Sequence, residues 1–209
     1  MSEPTDRGGP SEHWLARHPA LVPPVSTAGA AVVIVLREVT DDVEVLLIER
    51  ATNPQDPASG QVALPGGRVD DDDNSLAVTA LRELEEEVGL TEGDLDGSLR
   101  FVGAPVARRF GLKVGVFAAK LADRGRGPTV RSAAEVAHVF WLPRAALLTS
   151  RAVERETSRG LAPVRATVHE GHVLWGFTRR ILREFFELPE EDDLVGPVFA
   201  ESSATGRPS

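Results

Sequence analysis

Two short apolar runs open the pattern along the chain. Ala28–Leu36 reads AGAAVVIVL and Val43–Glu49 reads VEVLLIE, with the polar triplet Thr40-Asp41-Asp42 between them. Both runs are rich in β-branched residues, so the spacing predicts a β-hairpin. The loop Arg50–Gly60 carries Pro54, Pro57 and Gly60 and leads into a short strand, Gln61–Leu64. The period then changes. Ala77, Ala80, Leu81, Leu84 and Val88 fall within a band roughly 100° wide, which predicts one helix packed on a sheet. Ser75 or Asn74 is suited to cap its start, and Gly89 to end it. Strands are predicted over Leu99–Ala107, Lys113–Leu121 and Glu135–Leu142, the first two joined by the basic turn Arg108-Arg109-Phe110-Gly111. A short helix is expected over His13–Leu21, stopped by Pro23-Pro24, and another from Pro143 to Leu148. Val164–Val168 and His172–Leu174 flank the turn Glu170-Gly171, and Trp175–Phe186 is an amphipathic last helix. This order predicts an α/β fold, a mixed sheet with helices on its faces. Residues 1–24 are expected to form a partly mobile N-terminal segment, 25–188 the folded domain, and 189–209 a flexible tail.

Charge changes how the central helix is read. Glu83, Glu86 and Glu87 gather on a second arc at spacings i, i+3 and i+4, while Glu85 falls outside it. Like charges at i,i+4 cost a helix about 0.2–0.5 kcal/mol per pair, and Arg82 relieves part of this through Glu86. Two readings follow: a solvated acidic face, or an oxygen-ligand set for a hard divalent cation. In the second, mutual repulsion is expected to raise the carboxylate pKa values when no metal is bound.

The residues around the helix decide between them. Leu64-Pro65-Gly66-Gly67, followed by Arg82-Glu83-Leu84-Glu85-Glu86-Glu87-Val88-Gly89-Leu90, resembles the signature of the Nudix hydrolases, G-x5-E-x7-R-E-U-x-E-E-x-G-U with U aliphatic. The second half matches at every specified position. In the first half Asp73 stands at the glutamate position, and eight residues instead of seven separate it from Arg82. That acidic variant, with Leu46-Leu47-Ile48-Glu49-Arg50-Ala51 ahead of it and Trp175-Gly176-Phe177-Thr178 near the end, looks like the coenzyme A pyrophosphatase branch. Gln55 occupies the place of that branch's second arginine, and Leu64 that of a phenylalanine.

The resemblance implies the family's α/β/α sandwich and metal-dependent cleavage of a nucleoside diphosphate linked to another group, using Mg²⁺ or Mn²⁺. It implies Glu83, Glu86, Glu87 and the Gly67 carbonyl as metal ligands, with Glu83 a ligand or a base and Arg82 orienting the glutamates. Glu135 resembles a water-activating glutamate outside the signature. Arg50, Arg108, Arg109 and Lys113 are candidate phosphate contacts, since cationic side chains suit phosphate oxygens. Coenzyme A is the expected substrate, ADP-ribose or a nucleotide sugar the alternative, and a non-catalytic nucleotide-binding regulator the alternative of another class.

Composition bounds the rest. A chain of 209 residues without cysteine has no disulfide or thiolate to consider, and 209 residues suit one domain. The first residues have no signal-like apolar core, and no apolar run reaches the ~20 residues of a membrane span, so a cytoplasmic location is expected. A formal charge of −9 argues against a nucleic-acid surface. The expected partner is therefore a small molecule, with no nucleic acid and no membrane, and a homodimer is left open. His169 and His172 flank a turn, but no third ligand accompanies them.

Overall fold

The hairpin forms, and then it opens. β1 (Ala30–Val39) and β2 (Asp42–Arg50) are antiparallel, with Leu36 facing Val45 and Val39 facing Asp42. Towards the start of β1 the strands part, and the chain from Val62 to Arg68 fills the gap. β3 (Val62–Ala63) pairs with Ile48 and Glu49 of β2, and β4 (Gly66–Arg68) pairs with Ala30–Val32 of β1. Between them Pro65 O accepts from Val33 N at 2.9 Å. Gly66 and Gly67, whose Pro-Gly-Gly sequence reads as a turn, are thus strand residues in the middle of the sheet. The computed structural model describes residues 9–56, 58–107, 111–123, 125–157 and 160–189, so Arg108 and Arg109 lie outside the described residues.

β5 (Leu95–Gly103), β6 (Val106–Ala107), β7 (Leu112–Leu121) and β8 (Val136–Pro143) complete an eight-stranded sheet. β7 runs parallel to β1, β5 and β6 pair antiparallel to β7, and β8 pairs antiparallel to β2. The strand expected over Leu99–Ala107 is therefore two strands, the first beginning at Leu95. The inner strands are covered on both faces, which is why they read as near-continuous apolar runs.

Helices α1 (Pro10–Leu15), α2 (Leu76–Val88) and α3 (Gly176–Phe185) make the outer layers. On one face Leu76, Ala80, Leu84 and Val88 pack with Val33, Val35, Leu46, Ile48 and Phe117. On the other, Leu15, Leu182, Phe185 and Phe186 pack with Ile34, Leu36, Val45, Leu47 and Leu142. The architecture is an α/β/α sandwich around a mixed sheet. The helix expected after Pro143 is a 3₁₀ turn, Arg144–Leu148. A second antiparallel sheet, β9 (Arg151–Thr157), β10 (Gly160–His169) and β11 (His172–Trp175), sits beside α3.

Residues 9–24 pack against this body. Trp14 meets Phe186 edge to face with centroids 5.1 Å apart, Arg17 pairs with Glu187, and Pro23 O accepts from Leu76 N at 3.2 Å. The last contact joins the N-terminal segment to the first turn of α2.

Candidate functional site

The local rules hold at both ends of α2. Ser75 Oγ accepts from Val78 N at 3.3 Å, and Gly89 takes φ 72°, the left-handed conformation that ends a helix. Two late carbonyls are satisfied from outside, Glu87 O by Arg131 N at 3.0 Å and Val88 O by Thr129 N at 2.9 Å. The buried face comprises Leu76, Thr79, Ala80, Leu84, Glu87 and Val88, so it turns further towards Glu87 than the apolar pattern predicts. The three acids are graded in depth: Glu87 is 2% exposed, while the side chains of Glu83 and Glu86 are 15% and 55% exposed.

Arg82 ties the site together. Its Nη1 donates to Glu83 Oε1 at 2.9 Å and to Glu86 Oε2 at 3.1 Å. Its Nη2 donates to Arg68 O at 3.0 Å and to Asp73 Oδ2 at 3.0 Å, and its Nε to Asp73 Oδ1 at 3.2 Å. These bonds occupy all the N–H groups of a guanidinium. Asp73 is buried, and its Oδ2 also accepts from Asp70 N at 2.9 Å. The Arg82 fork holds the Asp73 carboxyl down at about 2, and in return Asp73 raises the Arg82 pKa. Asp73 thus meets Arg82 despite its shifted spacing, and it belongs to the site although it was singled out only as a departure.

Glu87 Oε2 accepts from Gly66 N at 2.9 Å. Burial pushes the Glu87 carboxyl up to about 8; the Gly66 N–H and the charge of Arg50 oppose this, and Glu83 and Glu135 reinforce it. Glu83 is also raised, chiefly by burial, with Glu86 and Glu135 adding and Arg82 opposing. Burial, ahead of the expected mutual repulsion, is therefore the leading cause. Gly67 lies directly against Glu83, because a Cβ there would fall 2.3 Å from Glu83 Oε1.

Glu135 is exposed and immediately precedes β8 instead of starting it. It is held from both sides, its N donating to Ser132 O at 3.0 Å and its O accepting from Ala51 N at 2.8 Å. β8 carries one residue more than β2 here, since Glu49 faces His138 and Arg50 faces Val136. Such a bulge re-aims a strand end, and this one sets Glu135 beside the end of β2. Arg50 closes β2, with Nε and Nη2 donating to Asp56 Oδ2 at 3.0 and 2.7 Å. Lys113 is exposed at the start of β7, with no ion pair among the described residues.

The donor set suits a hard divalent cation, which takes oxygen ligands and, for magnesium, needs only one or two carboxylates beside retained waters. Two of the acids hold their protons more tightly than usual, so ion binding would release protons. Among the described residues no group of three acids and histidines is already gathered as a cage. Arg82 and the Gly66 N–H occupy the carboxylates in its place.

Glu49 lies on the other face of β2. Its Oε2 is 2.7 Å from His172 Nδ1, and the His172 ring stacks on Phe140 at 3.9 Å. Glu49 and His172, with Trp175, Arg155 and Gly60, line an open pocket that includes none of the α2 glutamates.

A model of the NUDIX domain matches residues 27–162, a span that includes Arg50, the whole of α2 and Glu135. The chain belongs to the Nudix family. It is 33% identical over 150 residues to the uncharacterized Nudix hydrolase NudL of Yersinia enterocolitica, covering 66% of this chain and 70% of that one. Nudix hydrolase 15, mitochondrial, of Arabidopsis thaliana is 32% identical over 163 residues, covering 73% of this chain but 55% of the plant protein. Among solved structures, the Nudix hydrolase RenU of M. smegmatis aligns with TM-score 0.47 and 18% identity, covering 76% of this chain and 86% of that one. As a Nudix hydrolase the chain is a pyrophosphohydrolase acting on nucleoside diphosphate derivatives. Among the described residues no helix is long and apolar enough to cross a membrane.

Proposed function

We propose that the chain cleaves the pyrophosphate of coenzyme A or a derivative, releasing adenosine 3′,5′-bisphosphate and a phosphopantetheine compound. The observation that carries the hydrolytic reading is the shared Arg82 contact to Glu83 and Glu86, with buried Glu87 beside them. A plain solvated acidic face has no need of a nearly inaccessible carboxylate.

Glu83, Glu86, Glu87 and the Gly67 carbonyl would hold Mg²⁺ or Mn²⁺. Bound there, the ion supplies charge neutralisation at the diphosphate and a lowered pKa for water. Arg82, anchored by Asp73, keeps the Glu83 and Glu86 carboxylates in place. Water attacks one phosphorus, the bridging P–O bond breaks, and the water proton passes to a carboxylate oxygen of Glu135 or Glu83. Burial raises the Glu83 pKa, which makes its carboxylate a better proton acceptor than an ordinary glutamate. Arg50 and Lys113 meet the phosphate charge, with Arg108 and Arg109 as further contacts proposed from the sequence.

Support for coenzyme A comes from Leu46–Ala51 and Trp175–Thr178, which resemble that branch. Gln55 favours a second reading. It is exposed in a turn where the branch has an arginine, which suits a substrate without a 3′-phosphate, such as ADP-ribose or a nucleotide sugar. Product release from coenzyme A, ADP-ribose, NADH and nucleoside triphosphates, with and without Mg²⁺, separates these. Mg²⁺-dependent turnover of coenzyme A above the others supports the proposal. Binding without turnover would replace it with the regulator.

A further inference from the structure

We infer that Asp56 is a positioning residue that aims Arg50 at the substrate diphosphate. The inference rests on the diphosphate reading above. Arg50 has a fixed backbone, its N donating to Gln61 O at 3.0 Å and the next residue, Ala51, donating to Glu135 O at 2.8 Å. The side chain is long and partly exposed, so a fixed backbone alone leaves the guanidinium free to wander. Asp56 removes that freedom. Its Oδ2 takes both Nε and Nη2 of Arg50, while its Oδ1 accepts from Ala58 N at 2.9 Å.

The turn that carries Asp56 is closed by its own backbone, with one side-chain bond at its edge. Asp56 N donates to Asn53 O at 3.0 Å, Ser59 N to Asp56 O at 2.9 Å, and Asn53 N to Ser59 Oγ at 2.8 Å. Asp56 occupies the Nε/Nη2 edge of Arg50, and among the described residues Nη1 makes no hydrogen bond, which leaves it for another anion. Arg50 follows Leu46 and Ile48 at every second position of β2, on the face that packs against α2, so its side chain starts from the side of the sheet that carries the acids. A guanidinium presented this way meets a phosphate oxygen end-on, with its orientation set before the substrate arrives.

An ion pair that only closed a loop would be indifferent to substrate; a positioning pair is not. Asp56→Asn is expected to raise KM for the Mg²⁺-dependent hydrolysis about tenfold with kcat within about threefold. Asp56→Glu, which keeps the carboxylate, should recover most of that loss. Ser59→Ala removes only the edge bond from Asn53 N and leaves the Asp56 carboxylate with its bond from Ala58 N, so its KM should stay within about twofold. Calorimetry with the α,β-methylene analogue of ADP and Mg²⁺ gives a second measure, expected to weaken about tenfold in Asp56→Asn and not in Ser59→Ala. Asp56→Ser carries the same expectation should the asparagine variant not fold. Unchanged KM and affinity without the carboxylate, or an equal loss in Ser59→Ala, would overturn the inference. If the unaltered chain turns over none of the diphosphates, the hydrolase reading fails on its own, and the analogue's affinity still decides the role of Asp56.

Discussion

Asp73 and Arg82, nine positions apart, are joined by two hydrogen bonds of 3.2 and 3.0 Å between one carboxylate and one guanidinium edge. The opposite edge of Arg82 holds Glu83 and Glu86, so the loop before α2 and the acids on α2 share one cation. Asp73→Ala is expected to cost about 1.5–3 kcal/mol, the range for a hydrogen bond to a charged group, read as a lower denaturation midpoint. Turnover should fall with it, since Arg82 loses its anchor, and Asp73→Glu should lose less of both. Full activity in Asp73→Ala would reject this role for the pair.

Glu86 and Glu87 differ in depth, and the two substitutions should differ accordingly. Glu86→Gln and Glu87→Gln are both expected to lower turnover by at least ~10²-fold, as losses of preorganised charge do. Glu86 is half exposed, so its substitution should leave the melting temperature nearly unchanged. Glu87 is buried and receives the Gly66 N–H, a bond that a glutamine oxygen can keep. The metal-free Glu87→Gln protein should therefore be at least as stable as the unaltered one at pH 8. Rate assays paired with thermal melts check both halves.

What is legible in the sequence is what local rules control. The Ser75 cap, the Gly89 stop, the β1–β2 hairpin and the i,i+4 contact of Arg82 with Glu86 all follow from spacing within a few residues. Features set by distant pairing do not. Gly66 and Gly67 read as a turn, yet β1 makes them a strand. β9 reads RAVERET, with Ala152 and Val153 its only apolar residues, so no apolar run marks it. A helical wheel gives the direction of Glu87 but not its depth, because Leu76 and Thr79 extend the buried face past the apolar stripe. Asp56 and Asp73 look like ordinary loop acids until the fold brings each to its arginine.

Acid and base act on the metal-free protein in opposite senses. Glu87 titrates at about 8 in the fold against an ordinary 4.5, so the folded state holds its proton more tightly. Its stabilising contribution is complete below pH 4.5 and is lost as pH rises through 8, amounting to at most about 3–5 kcal/mol. Asp73 is lowered from 3.8 to about 2, so its contribution is present above 3.8 and lost as pH falls through 2. Denaturation of the metal-free protein should show stability declining between pH 5 and 8.5, a decline that Glu87→Gln flattens and saturating Mg²⁺ offsets. A flat profile in the unaltered protein would contradict the burial argument.

Gln55→Arg tests the substrate. Gln55 is exposed, and its N donates to Asn53 Oδ1 at 2.9 Å, a backbone bond that substitution preserves. An added guanidinium there should raise kcat/KM for coenzyme A about three- to tenfold relative to 3′-dephospho-coenzyme A, since only the former carries the extra phosphate. An unchanged ratio would favour the ADP-ribose reading.

Gly67→Ala separates the site from the fold. Gly67 sits in β4 opposite Ala31, and a methyl group there would fall 2.3 Å from Glu83 Oε1. Something must move. The backbone is tied into the sheet between β1 and the Arg68 carbonyl that receives Arg82, whereas the Glu83 carboxylate ends a flexible side chain. The carboxylate is therefore the part that yields, and its displacement breaks the 2.9 Å contact with Arg82 Nη1. Off-site strain of this kind costs a fold about 1–3 kcal/mol, which lowers the melting temperature but leaves the protein folded. Turnover should fall by at least ~10²-fold, because Glu83 leaves the position that ligand or base chemistry requires. Circular dichroism melts and a rate assay on one preparation check the two parts together; a folded Gly67→Ala protein with undiminished turnover would show that Glu83 does not act from the place it occupies beside Gly67.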